Sequence, residues 1–413
     1  MLERLHVRGF KSLADVQIDL PRLTVLFGSN AAGKSNVLDA IQALSRVGTM
    51  RTLADALTEP IRGYPIESFT FPKGGLPELH SVPRSQFELD AKLRREGASL
   101  RYRVTVAISP SSGALTVADE YLAQLDRHGE PKGKATIEQV EGKLRVRRKT
   151  ESGKPTYEQL HLNYSIVSDP RRSAPAYAAI ESARAELSEW RTYYLDPRSA
   201  MRHAQPPSDV RDIGVLGGDI APFLYRLRAE HPKHFQQVVR TLRSIIPNVE
   251  SLEVDLDKRR GTLDVLVRQD GVDYSSRIAS EGTLRVLALC CIAVNPWGGS
   301  LLAFEEPENG VHPRRIELIA RLLQSLALEE GRGERQVVVT THSPLFCDAI
   351  LRSTKGHESK VRLYSVRREG MATTVTPLDL EAPLFRSAEI ASALADGSED
   401  GLFENLMMRG LLE

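Results

Sequence analysis

The chain predicts a doubly wound α/β fold, and three stretches carry that prediction. The first is Leu23-Thr24-Val25-Leu26, an apolar run leading into Phe27-Gly28-Ser29-Asn30-Ala31-Ala32-Gly33-Lys34-Ser35-Asn36 and then into a helix with Val37, Leu38, Ile41 and Leu44 on one face. The second is Leu301-Leu302-Ala303-Phe304, a buried parallel-type strand that ends in Glu305-Glu306-Pro307-Glu308-Asn309-Gly310. The third is Val337-Val338-Val339-Thr340, which ends in Thr341-His342-Ser343-Pro344. Strand, glycine loop, helix, strand, acidic tip, helix, strand, histidine tip puts every polar group at a strand's C-terminal end. Ligands bind there in such folds.

At the start of the chain, Leu5-His6-Val7-Arg8-Gly9-Phe10 and Val16-Gln17-Ile18-Asp19-Leu20 alternate as two strands that would pair. The loop that follows fits G-x-x-x-x-G-K-[ST] in its required strand-to-helix setting. Its glycines let successive N–H groups turn toward phosphate oxygens, and the helix adds the positive end of its dipole. Lys34 would reach the β- and γ-phosphates of a nucleotide, and the Ser35 hydroxyl would ligate Mg²⁺. Pro60, Pro65, Pro72, Pro77 and Pro83 then mark irregular loop. Strands are expected over residues 86–93, 99–108, 116–125 and 136–148, an antiparallel layer inserted after the loop.

An Ala-rich helix is expected over 176–190, then a strand broken at Pro197 within Tyr193-Tyr194-Leu195-Asp196-Pro197-Arg198. Helices over 220–227, with Pro222 in the first turn, and over 234–246 precede a strand pair, 252–256 and 263–267, across the Arg260-Gly261 turn. No sustained heptads occur, so no long coiled coil is expected. Ser280-Glu281-Gly282-Thr283 opens a helix through Leu284, Val286, Leu287, Leu289 and Ile292; it is either an ordinary N-cap or a helix start that offers N–H groups to an anion. Glu305 and Glu306 are adjacent carboxylates at a strand tip: a solvated turn, or a pair that needs a cation and an activated water. His342 is a structural group or a hydrogen-bond donor to a terminal phosphate.

The 413 residues allow two or three domains, or one large α/β unit with insertions. With 55 basic and 54 acidic side chains, a globally basic surface is excluded, and nucleic acid could meet only a local patch. The start of the chain has no apolar signal core and no run of 18 apolar residues occurs, so the expectation is a cytoplasmic protein without a membrane partner. The 3 cysteines, Cys290, Cys291 and Cys347, match neither a metal spacing nor a disulfide framework and are expected in the core.

Taken together, these residues resemble the soluble ABC-type ATPases of the RecF, SMC and overcoming-lysogenisation-defect group, also catalogued as AAA-type ATPases. The likeness covers residues 5–47 and 278–350. It implies a P-loop ATPase head with an antiparallel β layer, a short helical insertion and no long coiled coil. The head's N-terminal part would span residues 1–150, the insertion 151–250 and the C-terminal part 251–413.

In that family Gly28, Ser29, Asn30, Ala31, Ala32, Gly33, Lys34, Ser35 and Asn36 would form the Walker A loop that binds ATP. Ser280, Glu281, Gly282 and Thr283 would be a shortened ABC signature acting in trans. Glu305 would take the Walker B position beside Ser35 at Mg²⁺, and Glu306 would be the catalytic glutamate. Glu308 and Asn309 would belong to the D-loop, and His342 would be the switch histidine. Lys11 falls where relatives place a basic residue near the nucleotide. Two departures stand out: Glu305 replaces the usual aspartate, and no glutamine marks a Q-loop, for which residues 193–198 are the nearest place. About 70 residues follow the histidine tip, fewer than a Toprim nuclease domain needs.

The resemblance implies an Mg²⁺-dependent ATPase that forms a homodimer through ATP and gates a DNA-related process, phage defence or DNA repair, with a separately encoded effector such as a nuclease. The alternative is a nucleotide-dependent scaffold or sensor with little turnover. A DNA-binding patch is one reading of Lys143, Arg145, Arg147, Arg148 and Lys149, with Arg171 and Arg172; a solvated strand edge kept basic against aggregation is the other.

Overall fold

The structure, a computed structural model, describes residues 1–148, 154–329, 335–354 and 356–378. The chain divides into two compact units. The first comprises Met1–Pro21, Gly28–Trp190 and Tyr364–Pro377; the second comprises Arg22–Phe27, Arg191–Leu363 and, among the described residues beyond, Leu378.

In the first unit, β1 (Leu2–Phe10) and β2 (Leu13–Asp19) pair antiparallel, with Leu5 opposite Ile18 and Val7 opposite Val16. The expected pairing of these strands is thus met. After β3 (Leu23–Phe27), which belongs to the second unit, come α1 (Lys34–Val47), α2 (Leu53–Ala56) and α3 (Gly75–Ser81). The antiparallel layer is built of β4 (Ser85–Arg95), β5 (Ala98–Ser109), β6 (Ala114–Leu125), β7 (Ile137–Val140), β8 (Lys143–Val146) and β9 (Thr156–Gln159), in the order β2-β1-β4-β5-β6-β7-β8-β9. Residues 136–148, expected as one strand, form a hairpin. Glu141 and Gly142 both take positive φ, 50° and 75°, and this pair of left-handed residues matches the twist of a two-residue hairpin turn.

The layer is pinned by a buried acid. Glu120 accepts hydrogen bonds from Ser165 Oγ (2.6 Å), Ile166 N (2.8 Å) and Val167 N (3.2 Å), while burial pushes its carboxyl above the usual glutamate range. Helix α4 (Ala178–Ser188) follows, and its buried Ile180, Ala183 and Leu187 recur at helical spacing.

The second unit is entered through β10 (Trp190–Tyr193). It contains α5 (Ile220–Glu230), α6 (Pro232–Ile245), an antiparallel sheet of β11 (Val249–Asp257), β12 (Thr262–Gln269) and β13 (Val272–Ser275), then α7 (Glu281–Val294), β14 (Leu301–Glu305), α8 (Pro313–Leu328), β15 (Gln336–Thr341) and α9 (Pro344–Ser353). Strand β13 has no counterpart in the sequence expectation. The three strands first singled out lie side by side and parallel, β14-β15-β3, with Glu305 opposite Thr340 and Thr340 opposite Leu26. All five residues of β3 are buried, as expected for a parallel strand covered on both faces.

Leu284, Leu287, Ile319, Leu323, Phe346 and Ile350 from the helices close over these strands in one apolar cluster. Cys290, Cys291 and Cys347 are unpaired and lie inside it, as expected. Tyr193 stacks on Phe304 at 5.3 Å between ring centres. Among the described residues the longest helix, α8, has 16 residues, so none makes a long coiled-coil arm. Finally β16 (Val361–Glu369) and β17 (Ala372–Pro377) form an antiparallel hairpin that belongs to the first unit from Tyr364 onward.

Candidate functional site

The chain leaves β3 at Phe27 and turns at once through the glycine loop. A side chain cannot be placed at either glycine. A Cβ on Gly28 would stand 2.2 Å from the Val366 carbonyl oxygen; one on Gly33, whose φ is +102°, would stand 2.0 Å from Thr373 Oγ1. Lys34 folds back on the loop, its Nζ donating to the carbonyls of Gly28 (2.8 Å) and Ser29 (2.9 Å). The first turn of α1 has no side-chain cap and no acidic residue, so its N–H groups and the lysine charge are disposed for an anion. A phosphate chain fits this setting.

A relay of hydroxyls holds the loop's shape. Asn36 Nδ2 donates to Ser12 Oγ (2.7 Å), which shares a 2.6 Å hydrogen bond with Thr373 Oγ1, and Thr373 Oγ1 in turn donates to the Ala32 carbonyl (2.9 Å). Ser12 and Thr373 escaped the sequence reading because no local pattern ties residues so far apart. Lys11 lies beside the loop helix, where its Nζ donates to Asp39 Oδ2 (2.6 Å) and to the Arg62 carbonyl (2.8 Å). Lys11, Asn36, Arg62, Phe69 and Arg368 line a cavity of about 390 Å³ in the same unit.

The second unit gathers the acidic and histidine tips. Glu306 stands one residue beyond β14 in the left-handed region, φ 42°, where a glutamate side chain is strained by on the order of 1 kcal/mol. Its N–H donates to the Thr340 carbonyl (3.0 Å) and its own carbonyl accepts from the Arg285 guanidinium (3.2 Å). Asn309 Nδ2 holds its carboxylate by donating to Oε2 at 2.6 Å, while His342 Nδ1 lies 3.1 Å from Oε1, within ion-pair range but without hydrogen-bond alignment. Glu305 sits half-buried at the end of β14. Glu308 is buried, accepts a hydrogen bond from Thr341 Oγ1 and keeps its other oxygen unpartnered; burial raises its pKa. Thr341 Oγ1 also accepts from Ser343 N (2.9 Å), shaping the turn that presents His342.

At the start of α7, Ser280 is exposed and its Oγ accepts from Thr283 N (3.1 Å), an N-cap. Gly282 has a packing reason: a Cβ there would stand 2.7 Å from the Gly310 carbonyl oxygen. The start of α7 and the Glu308-Asn309-Gly310 turn therefore meet backbone to backbone. Glu281 pairs with Arg198 at 3.0 Å, and Arg202 donates to the carbonyls of Pro197 (2.8 Å), Arg277 (2.7 Å) and Ala279 (2.9 Å). Residues 193–198 are thereby tied to the start of α7 through arginines. Arg202 and Arg285 were missed in the sequence, although Arg285 is the only charged residue from Leu284 to Val294.

In the basic stretch of the first unit, Arg145 and Arg147 (2.6 Å) both pair with Glu138, Arg172 pairs with Glu158 and Arg171 with Asp169 (2.9 Å). Much of its charge is thus matched locally; Lys149 lies outside the described residues. Among the described residues no three His, Cys, Asp or Glu side chains gather to hold a metal, and no helix is long and apolar enough to cross a membrane.

A family model described as "AAA domain, putative AbiEii toxin, Type IV TA system" matches residues 23–348. The chain is similar to the DNA replication and repair protein RecF of a Picosynechococcus species, 41% identical over 56 residues that make 13% of this chain and 14% of that protein. It is similar too to RecF of Stutzerimonas stutzeri, 32% identical over 112 residues, 26% of this chain and 29% of that one. The matched stretches thus span less than a third of either relative. Among solved structures it is similar to an SMC head bound to the C-terminal winged-helix domain of ScpA: TM-score 0.53, 15% identity, covering 92% of this chain and 98% of that one. That likeness shows the fold, which is the expected ATPase head.

Proposed function

We propose, on the premise that this chain belongs to the AAA-domain family whose model spans residues 23–348, that it is an Mg²⁺-dependent ATPase whose two copies close on ATP. The observation that carries the reading is Glu306, held in a strained backbone at the tip of β14 with its carboxylate between Asn309 and His342. A carboxylate fixed so closely at a strand tip is poised to take a proton from an attacking water. Residues 28–36 bind the phosphates, with Lys34 on the β- and γ-groups, and Ser35 with Glu305 holds Mg²⁺. The ion's contribution is to neutralise charge on the phosphates. His342 donates toward the γ-phosphate, and Lys11 stands at the edge of the nucleotide.

Ser280, Glu281, Gly282 and Thr283 complete the site of a second copy, with Glu308 and Asn309 near the same junction. ATP closes the pair and hydrolysis opens it, so turnover works as a gate. The gated process is DNA-related, defence or repair, and acts in the cytoplasm through a separate effector such as a nuclease. RecF's description as a replication and repair protein supports the DNA link, while the pairing of Arg145 and Arg147 to Glu138 favours a solvated edge over a DNA-binding patch.

Two variants test the reading. Lys34→Ala loses ATP binding in a calorimetric titration, whereas Glu306→Gln keeps ATP affinity and loses turnover by roughly 100-fold or more. Undiminished affinity in Lys34→Ala would overturn the phosphate-loop assignment. Measurable ATP binding with negligible wild-type turnover would instead establish the scaffold alternative.

A further inference from the structure

We infer that Arg285 is a positioning residue that fixes Glu306 and couples it to the signature helix, an assignment that rests on the ATPase reading above. Arg285 lies in the second turn of α7, and its guanidinium spans two segments: NH1 donates to the Glu306 carbonyl (3.2 Å) and NH2 reaches the Leu195 carbonyl (3.4 Å). Its Nε is buried without a hydrogen-bond partner. A charge set in an otherwise apolar helix, with one donor unmet, costs stability that an uncharged side chain would not. A packing role alone gives no reason for it.

The backbone of Glu306 supplies the reason. A residue in the left-handed region persists only where its surroundings over-determine it. The peptide groups flanking Glu306 are held by two different elements, its N–H by Thr340 in β15 and its C=O by Arg285 in α7. Without the second restraint the strained φ relaxes, and the carboxylate leaves its place between Asn309 and His342. The other side of Arg285 meets residues 193–198, which Arg198 and Arg202 tie to Glu281 and to the loop before Ser280. A shift of the signature helix on engaging a second copy is thereby felt at the Glu306 backbone.

The test is steady-state hydrolysis and ATP titration on the full chain with Arg285→Met and Arg285→Lys. The methionine variant lowers kcat by about 10- to 100-fold, as expected for a displaced catalytic group, while ATP affinity stays within about threefold of wild type. Lysine retains charge and one donor, and restores part of kcat. A kcat within about twofold of wild type in Arg285→Met would overturn the inference and leave the ATPase reading standing. Equal losses of kcat, ATP affinity and melting temperature in both variants would overturn it in favour of a purely structural arginine. A wild-type chain that binds no ATP would overturn the nucleotide reading, and the inference with it.

Discussion

Glu308 is the side chain in the candidate site whose surroundings are most at odds with its charge. It is buried, bonded through one oxygen to Thr341 and unpartnered at the other, and burial lifts its carboxyl above the ordinary glutamate range. Between that ordinary range and the raised value, the folded chain holds a proton that the unfolded chain has released. The stability tied to Glu308 is therefore complete at acid pH and falls as pH rises through this window. Glu308→Gln removes the titration and keeps an acceptor for Thr341. Denaturant midpoints of the two proteins should accordingly shift in favour of the variant as pH rises above the ordinary glutamate range. Parallel pH profiles would show that Glu308 ionises as an exposed glutamate does.

At the scale of elements, the N-terminus of α7 is set by a close approach rather than by helix preference. Alanine at position 282 would gain about 1 kcal/mol of helix propensity. Against this, its Cβ would meet the Gly310 carbonyl oxygen at 2.7 Å, and forced overpacking costs about 1–3 kcal/mol. Gly282→Ala should therefore lower the melting temperature slightly and reduce turnover by moving the Glu308-Asn309-Gly310 stretch; a variant more stable than wild type with full turnover would contradict this packing. Such contacts are where the sequence falls silent.

The strands β3, β14 and β15, their polar tips and the helices between them were legible from apolar runs and motif spacing, because a parallel core imposes both. The glycines of the loop were legible as a motif, yet the partners that forbid a side chain there, Val366 and Thr373, lie hundreds of residues away on β16 and β17. Arg285 and Arg202 act through backbone carbonyls, which carry no sequence signature. The hairpin at Glu141-Gly142 was missed for a different reason: its turn is only two residues long, too short to interrupt the run of strand-like residues on either side.

For the whole molecule, the proposed gate requires two copies to share ATP. Ser280 is exposed at the start of α7, as the proposed role at a partner's phosphates requires. Glu306→Gln should accumulate the ATP-bound state, since it binds without turning over. Light scattering of Glu306→Gln with ATP and Mg²⁺ should report a shift to the mass of a dimer or higher, and adding Ser280→Arg, which places bulk and charge at the shared site, should abolish that shift. A mass independent of nucleotide in Glu306→Gln, or a shift that survives Ser280→Arg, would contradict closure on ATP through the signature.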